Sequence, residues 1–278
     1  MPKWRPGVDA GRRLFRTGTR RDYEAALLLH PHVCEEVARR DRAARAGKSV
    51  KKSAGKYRWG DIDLVRKQLP SNDIWMQKEL PALLSERGRM DKEDMRRLLA
   101  WKWAYGKYRP GKTRFEDANR DESVAVATAE AVSLMNDGLE TVGSDTDTDV
   151  LITAAVSALT TMPQVGPATA TAVLSAGYPS LCPYYADEAM ETTGMFREPY
   201  TLKRYLEFAQ ILRAKAETLG GDLNANSISR ALWAVCKANA LEMDVASSSV
   251  AEPASSTNTS SSLVTRPSKR RKTAAGKK

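Results

Sequence analysis

The sequence predicts an all-α protein: a helical bundle built around two helices joined by a tight hairpin, with disordered basic termini. Three observations lead there. Apolar residues recur at three- and four-residue spacing through most of the chain. No stretch alternates apolar and polar residues with the conviction of a half-buried strand. Between Asp149 and Gly177, two runs of helix-forming residues are separated by one break, Met162-Pro163-Gln164-Val165-Gly166-Pro167.

Residues 1–58 read as a basic arm, partly helical. Arg12, Arg13, Arg16, Arg20 and Arg21 crowd its start, and Arg39 through Lys56 its end. Between them, Ala26, Leu27, Leu29 and Val33 suggest a helix that Pro31 is expected to interrupt. His30 and His32 flank that proline and are expected on the surface. The arm reads either as a set of phosphate contacts or as a solvated segment.

Residues 59–243 read as an all-helical domain. Ser71 is the expected cap of a helix through Trp75, Leu80 and Leu83, kinked at Pro81. Asp91 caps the next helix, whose stripe is Met95, Leu98, Leu99 and Trp103, widened by Trp101 and Tyr105. Tryptophans at helical spacing are core residues first. Gly106 to Lys112 ends this helix with interleaved aromatic and basic residues. Lys107, Arg109 and Lys112 are candidate DNA contacts there, with bare solvation as the alternative.

Asp121 to Asn136 forms another amphipathic helix, followed by an acidic loop from Gly138 to Asp147. Asp149 is the expected cap of the hairpin's first helix, with Leu151, Ala154, Ala155, Ala158 and Leu159 on one face. Pro167 suits the first turn of the second helix, and Gly177 its end. Thr201 caps a long helix stopped by Gly220-Gly221, and Asn226 caps the last one.

Residues 244–278 read as a serine-rich linker too poor in apolar residues to fold, then a basic tail. Within it, Lys269, Arg270, Arg271 and Lys272 read as a nuclear import signal. A nuclear import receptor is therefore an expected partner, and the nucleus the expected location.

A net charge of +10 over 278 residues favours a polyanionic partner. No apolar run is long enough to span a bilayer, so no membrane is expected. Cys34, Cys182 and Cys236 are an odd, scattered set, which suits a reducing compartment. No Cys-x-x-Cys pair or histidine-rich cluster exists, so neither zinc nor any other cofactor is expected.

The run from Met162 to Gly166, with Thr169-Ala170 behind it, resembles the helix-hairpin-helix of the DNA glycosylase superfamily. That hairpin reads Leu-Pro-Gly-Val-Gly and then Thr-Ala, so Gln164 departs from its first glycine. Trp101-Lys102-Trp103 through Arg109-Pro110, lying upstream of Val165-Gly166-Pro167-Ala168-Thr169-Ala170, resembles a group of uncharacterised, mainly fungal members. The resemblance implies double-stranded DNA as partner. It implies phosphate contact by Gln164, Val165, Gly166, Ala168 and Thr169, through backbone N–H groups at the second helix's start. Gly166 would allow the close approach.

The resemblance also implies a carboxylate opening the helix after the hairpin. Asp187 stands there, and the reading of the residues leaves open that it only caps that helix. Tyr184 and Tyr185 are candidates to line a pocket for a flipped base. Family members that also cut the strand carry a lysine where this chain has Ala168. Schiff-base chemistry by that route is therefore excluded. The four-cysteine iron–sulfur loop of some members is absent too. The expected function is a nuclear, non-catalytic DNA-binding protein. The alternatives are a monofunctional DNA N-glycosylase using Asp187, and a protein-interaction module in a chromatin complex.

Overall fold

The computed structural model describes residues 7–45, 62–106, 115–139, 144–195 and 200–243. All lie within one unit, Met1–Ser248. Lys107, Arg109 and Lys112, the basic segment 46–58, and the tail with Lys269, Arg270, Arg271 and Lys272 fall outside the described residues. Among the described residues the chain is helical and contains no strand. No described helix is long and apolar enough to cross a membrane.

The first two helices, α1 (Val8–Thr17) and α2 (Arg20–Arg45), correct the reading of residues 1–58 as an arm apart from the domain. Leu14, Tyr23, Ala26, Leu29, Val33 and Cys34 enter the common core, and both helices pack on α13 (Ala225–Ala240). Arg13, Arg16, Arg20, Arg21, Arg39 and Arg40 stay exposed on the outer faces. The arginine density hid an amphipathic pattern. Nor does Pro31 end α2. The lost hydrogen bond and ring clash cost about 3 kcal/mol, and the buried face on either side outweighs them. His30, expected outside, is fully buried on that face, whereas His32 is exposed.

Next come α3 (Ile62–Lys67), α4 (Leu69–Ile74), a π turn over Trp75–Glu79, and α5 (Leu80–Arg87). The widened turn absorbs the kink expected at Pro81. Proline has no N–H for the usual partner, and the Leu80 N–H reaches back to the Trp75 carbonyl instead. Ser71 lies inside α4 and does not cap it. The next helix, α6 (Lys92–Tyr105), starts as expected. Asp91 accepts from the Asp94 N–H, and Asp94 answers with its own carboxylate. α3 and α4 pack on α6, which buries Trp101 and Trp103.

A short α7 (Phe115–Ala118) leads into α8 (Asp121–Leu139), which packs along α9 (Asp145–Thr160). Gly138 lies inside α8 rather than in a loop, and a Cβ there would stand 2.4 Å from Leu151 Cδ1. The absent side chain lets α8 and α9 approach. Ser144, not Asp149, caps α9. Asp149 lies one turn in and holds Arg213 at 3.1 Å and Gln210 at 2.6 Å, tying α9 to α12 (Leu202–Leu219).

After the turn 161–166 comes α10 (Pro167–Gly177), with Pro167 in its first turn, packed on α5, α6 and α9. The short α11 (Asp187–Thr192) then precedes α12, which Thr201 caps and Gly220 ends. Asn224 caps α13 in place of Asn226. Asn226 is the second residue of α13 and is buried. Its side chain donates to Ser175 O at 3.2 Å and accepts from the Tyr184 N–H at 3.0 Å. It fixes the segment after α10 against α13. The three cysteines are free and buried.

Candidate functional site

The turn between α9 and α10 is built from local rules plus one side chain. Val165 N–H donates to Met162 O at 3.1 Å, closing the loop. Asn119, buried after α7, donates to Pro163 O at 2.9 Å and pins the outside of the turn. Gln164 carries φ 69°, in the left-handed region. The glycine-type conformation survives there without the glycine, at a cost of about 1 kcal/mol. Gly166, by contrast, has φ −107°, which any residue adopts. A Cβ there would meet nothing within 4 Å. The fold itself does not demand glycine at 166.

Past Gly166 the backbone opens outward. Thr169 and Ala170 N–H groups are used by Gly166 O, at 2.8 and 3.0 Å. The N–H groups of Gly166 and Ala168 have no acceptor among the described residues. Pro167 has none to offer. The start of α10 thus presents free donors at the positive end of a helix. Of the residues read as DNA contacts, Gln164 is exposed, Gly166 and Ala168 are half-buried, and Val165 and Thr169 are buried. The N–H groups of the last two are already used, by Met162 O and Gly166 O, so neither offers the backbone donor expected of it.

Beside this turn is a cavity of about 250 Å³. Gly166 to Thr169 form one wall. The end of α6 supplies Lys102, Trp103, Tyr105 and Gly106, and the approach to α11 supplies Tyr184 to Glu188. Tyr200, ahead of α12, closes the side and donates its hydroxyl to Asp187 Oδ1. Asp187 opens α11 as its first residue, and the cap position, Ala186, has no side-chain bond. Asp187, 9 % exposed as a residue, is one of the residues that line the cavity. Glu188 next to it is buried and paired with Lys237 at 2.8 Å.

The aromatic wall is closely packed. Tyr184 packs on Trp101 at 4.8 Å between ring centres. Its backbone is held by Asn226 and by Ser229, whose hydroxyl donates to Tyr184 O at 2.9 Å. Tyr185 packs edge-on against Tyr200 and Tyr205. Burial raises its phenol to about 12. Tyr105 stacks on Trp233 with rings 3.8 Å apart and 14° from parallel. Lys102, Tyr105, Tyr200 and Asn226 were missed as site residues. Only the folded chain brings them here: Lys102, Tyr105 and Tyr200 line the cavity, and Asn226 holds the backbone of Tyr184.

Behind Tyr105 lies a buried polar cluster. The Tyr105 hydroxyl shares a hydrogen bond with His30 Nε2 at 3.0 Å. His30 Nδ1 is 3.5 Å from Asp73 Oδ2, 3.5 Å from an Arg230 nitrogen and 3.9 Å from Cys34 Sγ. Asp73 also accepts from Trp101 Nε1 at 3.0 Å. Burial, then the Arg230 charge, hold His30 well below its ordinary range. Burial raises Asp73, against the pull of Arg230. The Tyr105 phenol and the Cys34 thiol are driven well up, mainly by burial. The neutral imidazole, the carboxylate and the guanidinium leave the cluster close to charge-balanced.

No family model, curated protein or solved structure matches this chain.

Proposed function

We propose that this chain binds double-stranded DNA through the start of α10, receives an extruded nucleobase in the adjacent cavity, and hydrolyses its N-glycosidic bond. The observation that carries this reading is one of position. Asp187 and the free donors of the α10 turn border the same aromatic-lined cavity. A volume of about 250 Å³ accommodates a single base, and bases are read by stacking between aromatic side chains. The cavity is what favours base excision over the non-catalytic module expected from sequence.

In this reading a DNA phosphate sits on the Gly166 and Ala168 N–H groups. As the glycosidic C–N bond breaks, its electron pair leaves with the base and positive charge develops on the sugar. Asp187 stabilises that charge, oriented by Tyr200. Water adds to the sugar carbon and gives its proton to Asp187, from which it passes to the departed base anion, so that the base leaves neutral and the carboxylate is restored. The products are a free base and an abasic site.

The test is a panel of duplexes, each with one damaged or mismatched base, followed by hot alkali and mass detection of released base. Asp187→Asn should lower excision by about 100-fold or more. Replacing Gly166 with valine should weaken duplex binding without loss of helicity, since space exists for the side chain. Borohydride should trap no adduct; a trapped adduct lost in Lys102→Met would assign that amine as a nucleophile and replace hydrolysis by lyase chemistry. Duplex binding without excision from any substrate would leave a non-catalytic binding module. Absence of both would overturn the proposal.

A further inference from the structure

His30 and Cys34 are one helical turn apart on the buried face of α2, and Asp73 comes from α4 across the helix–helix contact. Their ligand atoms, Nδ1, Sγ and Oδ2, all lie within 4.8 Å of one another. Two of the separations are 3.9 Å for S–N and 3.5 Å for N–O. In a tetrahedral site with zinc–sulfur near 2.3 Å and zinc–nitrogen or oxygen near 2.05 Å, those edges are about 3.6 and 3.4 Å. Those two edges are within a few tenths of an ångström of such a tetrahedron's, and the third, between sulfur and oxygen, is at most 4.8 Å. His30 Nε2 is occupied by Tyr105, which turns Nδ1 toward the other two groups. A void of about 10 Å³, lined by Gln77, Tyr105 and Arg230 among others, lies against Tyr105 and Arg230, the two groups that contact His30. One water requires about that space.

We propose that His30, Cys34 and Asp73 bind one thiophilic divalent cation of the zinc class, in exchange for the Arg230 guanidinium. The exchange is charge-balanced. The ion's two positive charges meet the Asp73 carboxylate and a Cys34 thiolate, whose proton leaves to solvent. His30 enters neutral, as burial already holds it. Arg230 loses its counter-ion and swings toward solvent, to which its side chain is already 22 % exposed. The bound water fills the fourth position. The ion would then clamp α2 to α4 and fix Tyr105, one wall of the cavity, from behind.

The experiment uses the full chain, without an affinity tag, under reducing conditions. Cobalt(II) is titrated in first, and zinc(II) is then added to compete. One equivalent of cobalt should give the visible bands of a tetrahedral thiolate site, and zinc should bleach them. X-ray absorption of the zinc form should find one sulfur at about 2.3 Å. Zinc at a hundred times its dissociation constant should shift the folding equilibrium about 100-fold. Cys34→Ser should weaken cobalt binding by at least about 10-fold, while Cys182→Ser and Cys236→Ser leave it unchanged. Arg230→Gln should tighten it. Should Cys34→Ser fail to fold by circular dichroism, the sulfur count in the wild-type and Cys182→Ser/Cys236→Ser chains decides. No thiolate band in the folded wild type, no sulfur ligand, or a band that survives in folded Cys34→Ser overturns the proposal.

Discussion

The cavity beside Asp187 and the polar cluster behind Tyr105 share a tyrosine and differ in almost everything else. In the cluster every group answers another: Asp73 lies between Trp101, His30 and Arg230. Asp73 is buried and the Arg230 side chain is 22 % exposed, so removing the carboxylate takes the acceptor from partners that are mostly out of water. Around the cavity, polar groups face a space. Asp187 meets the Tyr200 hydroxyl, and the Gly166 and Ala168 N–H groups meet no described acceptor. The difference teaches where stability and function are divided. One set of polar residues is held for the fold, and the other is held by the fold for something outside it.

The sharpest way to break this comparison is to remove one carboxylate from each side. Asp73→Leu strands Arg230 and the Trp101 N–H and should cost about 3 kcal/mol of stability. Asp187→Asn keeps an acceptor for Tyr200 and should cost about 1 kcal/mol or less. Urea unfolding of both variants measures this. Equal losses would make Asp187 a structural residue and remove the contrast.

A smaller effect comes from pH. His30 is held well below its ordinary 6.5 in the folded state, first by burial and then by Arg230. The groups around it are Asp73, Cys34, Tyr105 and Arg230. Below about pH 6.5 the unfolded chain takes up a proton that the folded chain refuses. His30 therefore contributes full stability above that pH and loses it as pH falls, at up to about 1.4 kcal/mol per unit. His30→Gln should flatten the decline between pH 6.5 and 5.5 in thermal melts. An unchanged slope would place the loss on other groups.

The smallest effect tests the turn. Gln164→Gly relieves the left-handed strain at φ 69° but frees the unfolded chain, so the gain should be at most about 1 kcal/mol. A loss of stability would mean that the exposed glutamine side chain holds the turn.

Much of the fold was legible because it rests on neighbours in sequence. The Asp91 and Thr201 caps, Pro167 opening α10 and Gly220 ending α12 are where the pattern put them. The cap positions expected at Ser71, Asp149 and Asn226 failed for one reason. Each residue type suits a cap, but another residue nearby took the start of the helix. Asp149 and Asn226 were free to bond across helices instead. For the candidate site, Asp187, Tyr184 and Tyr185 were found by motif. Tyr105 and Tyr200 were not, since no local pattern distinguishes a cavity wall from a core tyrosine.

What the sequence determined by itself is the set of helices from α6 onward apart from the short α7, the break between α9 and α10, and the direction of its charge. These depend on periodicity, proline and caps, which act within a few residues. Only the tertiary structure decided that α2 runs through Pro31, that His30 is buried, and that Asp73 comes to meet it. The free energy behind those three facts is held in contacts with α13 and α4. It is set by residues up to 200 positions away in the chain, and no window on the local sequence contains it.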